Sequence, residues 1–344
     1  MATKKKKTAT KPINLALQGG GAHGAFAWGA LDALLEDGRL EIEAVSATSA
    51  GAMNAVVLAD ALVEGDREHA RERLVAFWRA IADAGRSYNP VQPLRDFMGG
   101  ALPLEHSPFY WLFDSMVRVF SPYQLNPFNF NPLRHVLEEH VDFARLRRTN
   151  GIHVHLCATN VETGKVRLFE RKELSVDAVL ASACLPFLFQ TIEIDGAHYW
   201  DGGYIGNPAI FPLIYHSQSR DVVIVHINPI VRPGVPKTAP EIMNRINEIS
   251  FNSSLMREMR AIAFVTRLIA GGKIDASEMK QMLIHSIRDD AAMTAHSIAS
   301  KLNPDWKFLC GLRDSGAAVT KRWLAAHIDD VGERSTVDLE AEFL

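Results

Sequence analysis

One serine, placed between an apolar run and a run of small residues, constrains the fold of this chain more than any other feature. Residues 42–47 are mostly apolar and lead to Ser49, and residues 50–64 have the composition of a helix. A serine at such a strand-to-helix turn lifts its hydroxyl clear of a sheet, as in the nucleophile elbow G-x-S-x-G. The stretch here is Ala47-Thr48-Ser49-Ala50-Gly51, with alanine in place of the first glycine. On this stretch alone, an ordinary turn with a serine N-cap is an equal alternative.

A glycine cluster precedes this turn by one helix and one strand. Residues 13–18 read as a short buried strand, followed by Gly19-Gly20-Gly21-Ala22-His23-Gly24 and a helix that ends near Asp37, before Gly38. Main-chain N–H groups at the start of a helix form an anion site. Residues 13–64 therefore predict a β-loop-α-β-turn-α unit, the beginning of a doubly wound parallel sheet. Ligands of such sheets bind beyond the carboxyl ends of the strands, where the cluster and Ser49 both lie.

Further strands and helices are predicted along the chain. A helix over residues 66–84 should stop at Gly85, and seven of the 16 prolines fall between Pro90 and Pro132, in an aromatic segment. A proline-broken segment cannot hold a long helix or a central strand. We expect either irregular packing on the core or a lid over the serine. The remaining predicted strands are 152–158, 166–169, 191–195, 222–227 and an edge strand within 280–287; the predicted helices are 133–140, 176–183, 238–270 and 305–327.

A late turn, Asp201-Gly202-Gly203, completes a candidate constellation. Acyl transfer needs a nucleophile, a base and donors aimed at the developing oxyanion. Glycine amides serve well as donors because no side chain blocks the approach of substrate. Gly202 and Gly203 would likewise let Asp201 approach Ser49 closely.

Composition sets limits on the class of protein. The 344 residues are 47% hydrophobic and 22% charged, ordinary for a soluble globular chain that buries a core without disulfides. A net charge of −3 gives no electrostatic case for a nucleic-acid partner. Three scattered cysteines, Cys157, Cys184 and Cys310, fit a reducing compartment, and we expect a cytoplasmic location. Residues 1–12 read as a disordered basic tail whose lysines favour, at most, weak peripheral contact with anionic lipid. The oligomeric state is not encoded in any recognisable pattern.

The three motifs together resemble those of bacterial patatin-like phospholipases. Gln18 to Gly24 is similar to that family's glycine-rich oxyanion motif, Ala47 to Gly51 to its nucleophile elbow, and Asp201 to Gly203 to its catalytic D-G-G/A. The stretch from Ala181 to Pro186 also resembles a small-residue helix of the family. The resemblance runs in order from about residue 13 to residue 230. His23, where the family usually has Arg or Lys, and Ala47 are departures; neither removes a reacting atom.

The resemblance implies a lipid acyl hydrolase on a three-layer α/β/α sandwich with a mostly parallel sheet and a helical C-terminal extension. Ser49 would be the nucleophile and Asp201 its base, with no metal or other cofactor. Gly19, Gly20, Gly21 and Gly24 would form the oxyanion hole, and Ala47, Ala50, Gly51, Gly202 and Gly203 would support the two turns. One domain would span residues 13–330, with a lid-like insertion at 87–132, a mainly helical part at 238–330 and a tail at 331–344. The substrate would be a lipid or another carboxylic ester.

Three other interpretations remain at this stage. The glycine cluster also fits a dinucleotide-binding fingerprint, but Glu41 and Glu43 lie at the wrong end of the second strand to hold a ribose. A Ser-His-Asp hydrolase would use one of the histidines, His155, His198 or His226. A non-catalytic lipid-binding protein would explain the departures at Ala47 and His23. His153 and His155 alternate in a strand and do not make a metal site.

Overall fold

One mixed sheet forms the centre of the molecule. The structure, a computed structural model, describes residues 10–88, 116, 119–275 and 279–344. Within them the strands are β1 (Lys11–Leu17), β2 (Leu40–Ala47), β3 (His153–Asn160), β4 (Val166–Glu170), β5 (Ile192–Ile194), β6 (Ala197–Asp201), β7 (Asp221–Val225) and β8 (Leu283–Ile287). Their order is β5-β6-β3-β2-β1-β7-β8, and β4 also pairs with β3. The five strands from β3 to β8 along this order are parallel, and β4, β5 and β6 are joined by antiparallel pairs.

Helices cover both faces of this sheet. The described α-helices are α1 (Gly24–Asp37), α2 (Ala50–Glu64), α3 (Arg67–Tyr88), α4 (Pro122–Leu125), α5 (Pro132–His140), α6 (Phe143–Arg148), α7 (Val176–Ser182), α8 (Phe211–Tyr215), α9 (Ala239–Ala270), α10 (Asp290–Thr294), α11 (Trp306–His327) and α12 (Leu339–Phe343). The predicted helices 50–64, 133–140 and 238–270 are confirmed to within a residue or so. Thr238 forms the capping box that starts α9, as its sequence predicts.

Alternation along the strands produces two cores. Leu15 and Leu17 of β1 belong to one cluster of buried residues, which includes Phe26 and Trp28 of α1, whereas Ala16 belongs to a second cluster. Successive side chains of a strand point to opposite faces, so the two clusters lie on opposite sides of the sheet. The second cluster includes Leu255 of α9. The result is the predicted α/β/α arrangement with a mostly parallel sheet.

The pairing of β3 explains why a late turn reaches the end of an early strand. The first half of β3 pairs with β2 up to Leu156, opposite Ala47. The second half pairs with β6, with Ala158 opposite Asp201. Since β4 occupies the other edge of β3 along both halves, β2 and β6 share one edge. β6 thus takes the place that β2 leaves, and the residues after Ala47 meet Asp201.

Close contact between α1 and α11 fastens the C-terminal part of the chain to the N-terminal part. A Cβ atom added at Gly29 would lie 1.9 Å from the carbonyl oxygen of Arg313, and one added at Gly316 would lie 2.0 Å from that of Phe26. Two helices at this separation require glycine at both crossing points. The helical region at 305–327 is therefore packed directly on the first helix of the sheet.

Three predicted boundaries are corrected by the structure. Gly85 does not stop the third helix, which continues to Tyr88; a Cβ atom at Gly85 would lie 2.3 Å from Cβ of Pro304, so the glycine admits a neighbouring segment. The predicted tail at 331–344 contains α12, which buries Phe343 in the second core. Residues 197–201 form a strand that the sequence did not reveal.

Two predicted regions fall largely outside the described residues. Of the predicted basic tail at 1–12, residues 1–9 lie outside, while Lys11 and Pro12 belong to β1. Most of the 87–132 insertion also lies outside. Its described part includes α4, and the hydroxyl groups of Tyr123 and Thr191 are 3.1 Å apart. Phe128 there is 93% exposed.

Candidate active site

The strand-to-helix turn at Ser49 has strained backbone geometry. Ser49 has φ 56° and ψ −123°, a positive φ that residues with a side chain rarely adopt. The turn directly precedes α2, and Gly51 lets this helix approach β1, since a Cβ atom there would lie 2.4 Å from the Leu17 carbonyl oxygen. A strained serine between a strand and a helix is the geometry of a nucleophile elbow. Ala47 is fully buried, and its alanine is accommodated as the last residue of β2.

Two hydroxyl groups hold the elbow in this conformation. The Ser49 amide donates to Oγ of Ser182, 2.9 Å away, and that hydroxyl donates to the Cys157 carbonyl at 2.6 Å. Thr48 Oγ1 donates to the Gly206 carbonyl at 2.6 Å. The first pair ties the elbow to β3 and α7, and the second ties it to the segment that follows β6. The cost of the positive φ is offset by hydrogen bonds to three other parts of the chain.

The main-chain amides of Gly19 and Gly24 in the glycine cluster donate hydrogen bonds within the protein. The Gly19 amide donates to Oδ1 of Asn207 at 2.6 Å, and the Gly24 amide bonds the Gly21 carbonyl. No described residue accepts from the amides of Gly20 or Gly21. Of the four glycines predicted to form the oxyanion hole, Gly20 and Gly21 are therefore the two whose amides no described residue uses. Gly19 and Gly24 contribute to shape, because a Cβ atom at Gly19 would lie 2.6 Å from Ser49 Cβ, and one at Gly24 would lie 2.5 Å from that of Ala50.

Asp201 is fully buried at the end of β6. Its amide donates to the Cys184 carbonyl at 2.8 Å, and its Oδ1 accepts the Gly203 amide at 2.7 Å. Gly202 and Gly203 are required by close neighbours: added Cβ atoms would lie 2.1 Å from the Cys157 carbonyl oxygen and 2.3 Å from the Phe251 ring. Oδ2 has no hydrogen-bond partner among the described residues. One carboxylate oxygen is therefore anchored and the other is open.

Burial makes this carboxyl a stronger base than an ordinary aspartate. Loss of solvation raises the pKa of Asp201 to about 6, against the opposing effects of the Gly203 amide, the Ser49 hydroxyl and the positive charge of Lys301. A carboxylate with a pKa near neutrality is suited to take a proton from a hydroxyl. Asp201 is buried, and Phe251 of α9 packs against Gly203, two residues further along the chain.

The Ser49 hydroxyl and the Asp201 carboxyl are neighbours without a formed hydrogen bond. The Ser49 hydroxyl is close enough to lower the pKa of the Asp201 carboxyl. No hydrogen bond of 3.5 Å or less joins the two side chains, however. Catalytic hydrogen bonds of this kind are often long before substrate binds and tighten afterwards. The two side chains, about 150 residues apart in sequence and predicted to meet, are thus brought together at one edge of β3.

The three candidate histidines of a Ser-His-Asp triad are engaged elsewhere. Among the described residues, no hydrogen bond joins any of them to Ser49. His155 Nδ1 pairs with Glu170 at 3.0 Å, His198 Nδ1 with Thr191 at 3.1 Å, and His226 stacks on Phe343. A triad would need one imidazole within reach of the serine. The geometry gives this alternative no support.

The dinucleotide interpretation meets a similar difficulty. Glu43 accepts the amides of Gln218 and Ser219, and Glu41 accepts from Thr10. Both carboxylates lie along the first half of β2, away from the carboxyl ends of the strands. Residues 10–88, 116, 119–275 and 279–344 contain no group of three or more His, Cys, Asp or Glu side chains arranged to hold a metal ion.

Comparison with known proteins identifies the family. A sequence model of the patatin-like phospholipase family matches residues 15–214, more than half of the chain. The chain belongs to the patatin-like phospholipase family. Membership indicates a hydrolase of lipid esters in general terms. No curated protein sequence matches the chain. Among solved structures, VipD from Legionella pneumophila matches with a TM-score of 0.37 and 16% identity, over 92% of this chain and 72% of that one, a similarity too low to bear on fold or function.

Several residues of this patatin-like site gave no signal in the sequence. Ser182 lies in the small-residue stretch that resembles the family, but its bond to the elbow was not predicted. No recognisable motif surrounds Asn207, Asn228 or Lys301 in the sequence, and all three are polar residues of common types. Only the fold shows that they surround the glycine cluster. No helix in the part of the chain that the structure describes is long and apolar enough to cross a bilayer.

Proposed function

We propose that the protein is a serine acyl hydrolase that cleaves carboxylic esters of lipids through an acyl-enzyme on Ser49. The observation that carries the proposal is the pairing of a strained serine with a buried aspartate whose Oδ2 has no hydrogen-bond partner in the part of the chain that the structure describes. The family assignment supports lipid ester hydrolysis, and the site geometry supports a Ser-Asp dyad. No observation favours the triad or the dinucleotide alternative.

The proposed first step forms a bond from Ser49 Oγ to the ester carbonyl carbon. The hydroxyl proton passes to Oδ2 of Asp201. The amides of Gly20 and Gly21, at the start of α1, stabilise the negative charge on the carbonyl oxygen, and loss of one such donor elsewhere costs about 3–4 kcal/mol of barrier. Collapse of the tetrahedral intermediate breaks the ester bond, and the leaving alcohol takes the proton from Asp201.

The second step returns the enzyme to its starting state. Water attacks the acyl carbon while its proton passes to Asp201. Collapse then breaks the bond to Ser49 Oγ, which regains the proton, and the carboxylic acid leaves. In both steps the Asp201 carboxyl accepts the proton and gives it up again. The mechanism therefore needs no histidine, and we propose none.

A lipid rather than a small ester as substrate is supported by exposed aromatic side chains. Tyr123, Phe128 and Phe130 are all more than half exposed in the described part of the 87–132 segment. Exposed aromatic groups on the surface of a lipid hydrolase are suited to contact acyl chains or a membrane surface. The proposed substrate class is therefore lipid esters, with peripheral contact at a membrane and a cytoplasmic location as part of the proposal. A non-catalytic lipid-binding role is the second candidate.

The test is to profile the fatty acids released from a panel of defined phospholipids and acylglycerols. Wild type should release fatty acid from at least one class, and Ser49→Ala should release none above background. A folded wild type that binds lipid vesicles but hydrolyses nothing would favour the non-catalytic candidate. Activity retained by Ser49→Ala would overturn the proposed nucleophile.

A further inference from the structure

A lysine from the C-terminal part of the chain lies against the glycine cluster. Lys301 belongs to a short 3-10 turn, Ala299–Leu302, and its carbonyl oxygen would lie 2.4 Å from a Cβ atom at Gly21. Its neighbour Ser300 pairs through Oγ with Nε2 of His23 at 2.8 Å. This turn is therefore packed on the same loop that presents the free amides, although about 280 residues separate the two in sequence.

The ammonium of Lys301 is held by two amide side chains and one ring. Nζ donates to Oδ1 of Asn228 at 2.9 Å and to Oδ1 of Asn247 at 2.7 Å. It also lies 5.2 Å from the centre of the Phe251 ring, whose edge packs on Gly203 beside Asp201. These three contacts hold the half-buried ammonium group in one position, unlike a lysine side chain that extends into solvent.

Asn228 links the Lys301 ammonium group to the glycine cluster. Its Nδ2 donates to the Gly19 carbonyl at 2.9 Å while its Oδ1 accepts from Lys301. The carbonyl of Gly19 and the amide of Gly20 belong to one planar peptide group and point in opposite directions. A hydrogen bond that fixes the carbonyl therefore also fixes the direction of the Gly20 N–H, one of the two proposed oxyanion donors.

The charge of Lys301 also acts on the base. It lowers the pKa of Asp201, opposing the larger effect of burial. His23 of the glycine cluster cannot do the same, because burial, Lys301 and His296 hold its pKa well below the ordinary value and keep it neutral. The cation that acts on the dyad thus comes from the C-terminal part of the chain.

We propose that Lys301 is a positioning residue of this active site, which orients the Gly20 amide through Asn228. The inference rests on the proposed acyl hydrolase function and adds to it a residue outside the three motifs. Lys301 need not touch substrate; its effect passes through Asn228 and through its charge.

The proposal predicts an alkaline limb in the activity. Burial lowers the pKa of Lys301 to about 8, while the negative charges of Glu248 and Asp201 raise it in part; His23 also faces it and is neutral. Glu248 is itself bound by Arg232 and Arg245. Asp201 must be ionised and Lys301 protonated, so kcat/KM should rise through about pH 6 and fall above about pH 8.

The experiment measures kcat and KM against pH with a water-soluble p-nitrophenyl ester, which removes any dependence on a lipid surface. Lys301→Met keeps the length of the side chain and removes its charge. It should lower kcat about tenfold with KM unchanged within about twofold, as expected when a transition-state interaction is lost. Its acidic limb should move up by about 0.5 to 1 pH unit, and its alkaline limb should disappear. Lys301→Arg should keep most of kcat and also lack the alkaline limb.

Controls separate this inference from the proposed function. Lys321→Met removes an exposed lysine that pairs with Glu36, and its pH profile should match wild type. If Lys301→Met does not fold, Asn247→Leu provides the test: loss of one acceptor disfavours the ammonium, so the alkaline limb should move to lower pH. A wild type without Ser49-dependent hydrolysis overturns the proposed function and the inference together. An active wild type whose profile is shared by Lys301→Met, or by Asn247→Leu, overturns the inference alone.

Discussion

Two regions of the molecule build the same site in different ways. The N-terminal unit, residues 11–64, contributes main-chain geometry: a positive φ at Ser49 and, at Gly20 and Gly21, two amides for which the described residues offer no acceptor. The later region, residues 201–302, contributes polar side chains, including Asp201, Asn207, Asn228 and Lys301. A compact sequence motif thus determines the directions of main-chain groups at the site. The charged side chains and their hydrogen-bond partners come instead from residues scattered along the chain.

The two regions also tolerate change differently. In the N-terminal unit, a Cβ atom added at Gly19 would lie 2.6 Å from Ser49 Cβ, and one added at Gly51 would lie 2.4 Å from the Leu17 carbonyl oxygen. Such contacts forbid side chains, so the motif must keep its small residues. In the later region a side chain acts through one or two hydrogen bonds, each worth about 0.5–1.5 kcal/mol. Substitutions of the polar side chains around the dyad should therefore weaken the site in graded steps, whereas Gly202 and Gly203 are as closely surrounded as the glycines of the N-terminal unit.

The largest expected effect comes from Asp201→Asn, which tests the later region at its most important point. The asparagine keeps the size of the side chain and the acceptor for the Gly203 amide but cannot take the Ser49 proton. We expect kcat to fall about 10³-fold. The melting temperature should stay close to that of wild type, since a buried carboxyl with a raised pKa is replaced by a neutral amide. Steady-state kinetics and a thermal melt measure both. Turnover within tenfold of wild type would show that the base is another group.

The next effect tests how the N-terminal unit is fastened to α11. Gly29→Ala places a Cβ atom 1.9 Å from the Arg313 carbonyl oxygen and should lower the free energy of unfolding by about 3 kcal/mol. Gly311→Ala, on the same helix α11, is the matched control: nothing lies within 4 Å of its added Cβ atom, and alanine should stabilise the helix by about 0.5–1 kcal/mol. Denaturant unfolding measures both variants. Equal effects from the two would mean that α1 and α11 are not in close contact.

The smallest effect concerns the anchor of the glycine cluster. Asn207→Ala removes the acceptor of the Gly19 amide and should lower kcat about tenfold, the kinetic equivalent of about 1.4 kcal/mol. KM should change little, because the loop acts on the developing oxyanion. Asn126→Ala, in the exposed segment after α4, is a control expected to leave kcat unchanged. A rise in KM with constant kcat would instead place Asn207 in substrate binding.

Much of the fold could be predicted from sequence because its signals are local. Helix caps at Thr238 and Gly38, the apolar strand 222–227 and the small-residue helix after Ser49 each depend on neighbouring residues, and each is confirmed. The strand 197–201 was missed because three polar or aromatic residues and a following D-G-G turn hide its alternation. Gly85 was misread since a helix glycine can serve close packing as well as termination.

The candidate site was predictable in its motifs and not in its surroundings. Ser49, Asp201 and the glycine cluster carry recognisable spacing. Which amides of the cluster are free could not be known, because Asn207 reaches Gly19 only through the fold. Lys301 was equally hidden: a lysine in a polar stretch is usually solvated, and nothing nearby in sequence shows the two asparagines that bind it.

The most direct test of the dyad is the rate and site of fluorophosphonate labelling. The probe phosphonylates an activated serine, so mass spectrometry of the labelled wild type should find a single adduct on Ser49. Asp201→Asn should form that adduct at least about 100-fold more slowly. An adduct on another serine, or equal labelling rates for wild type and Asp201→Asn, would contradict the claim that these two side chains act together.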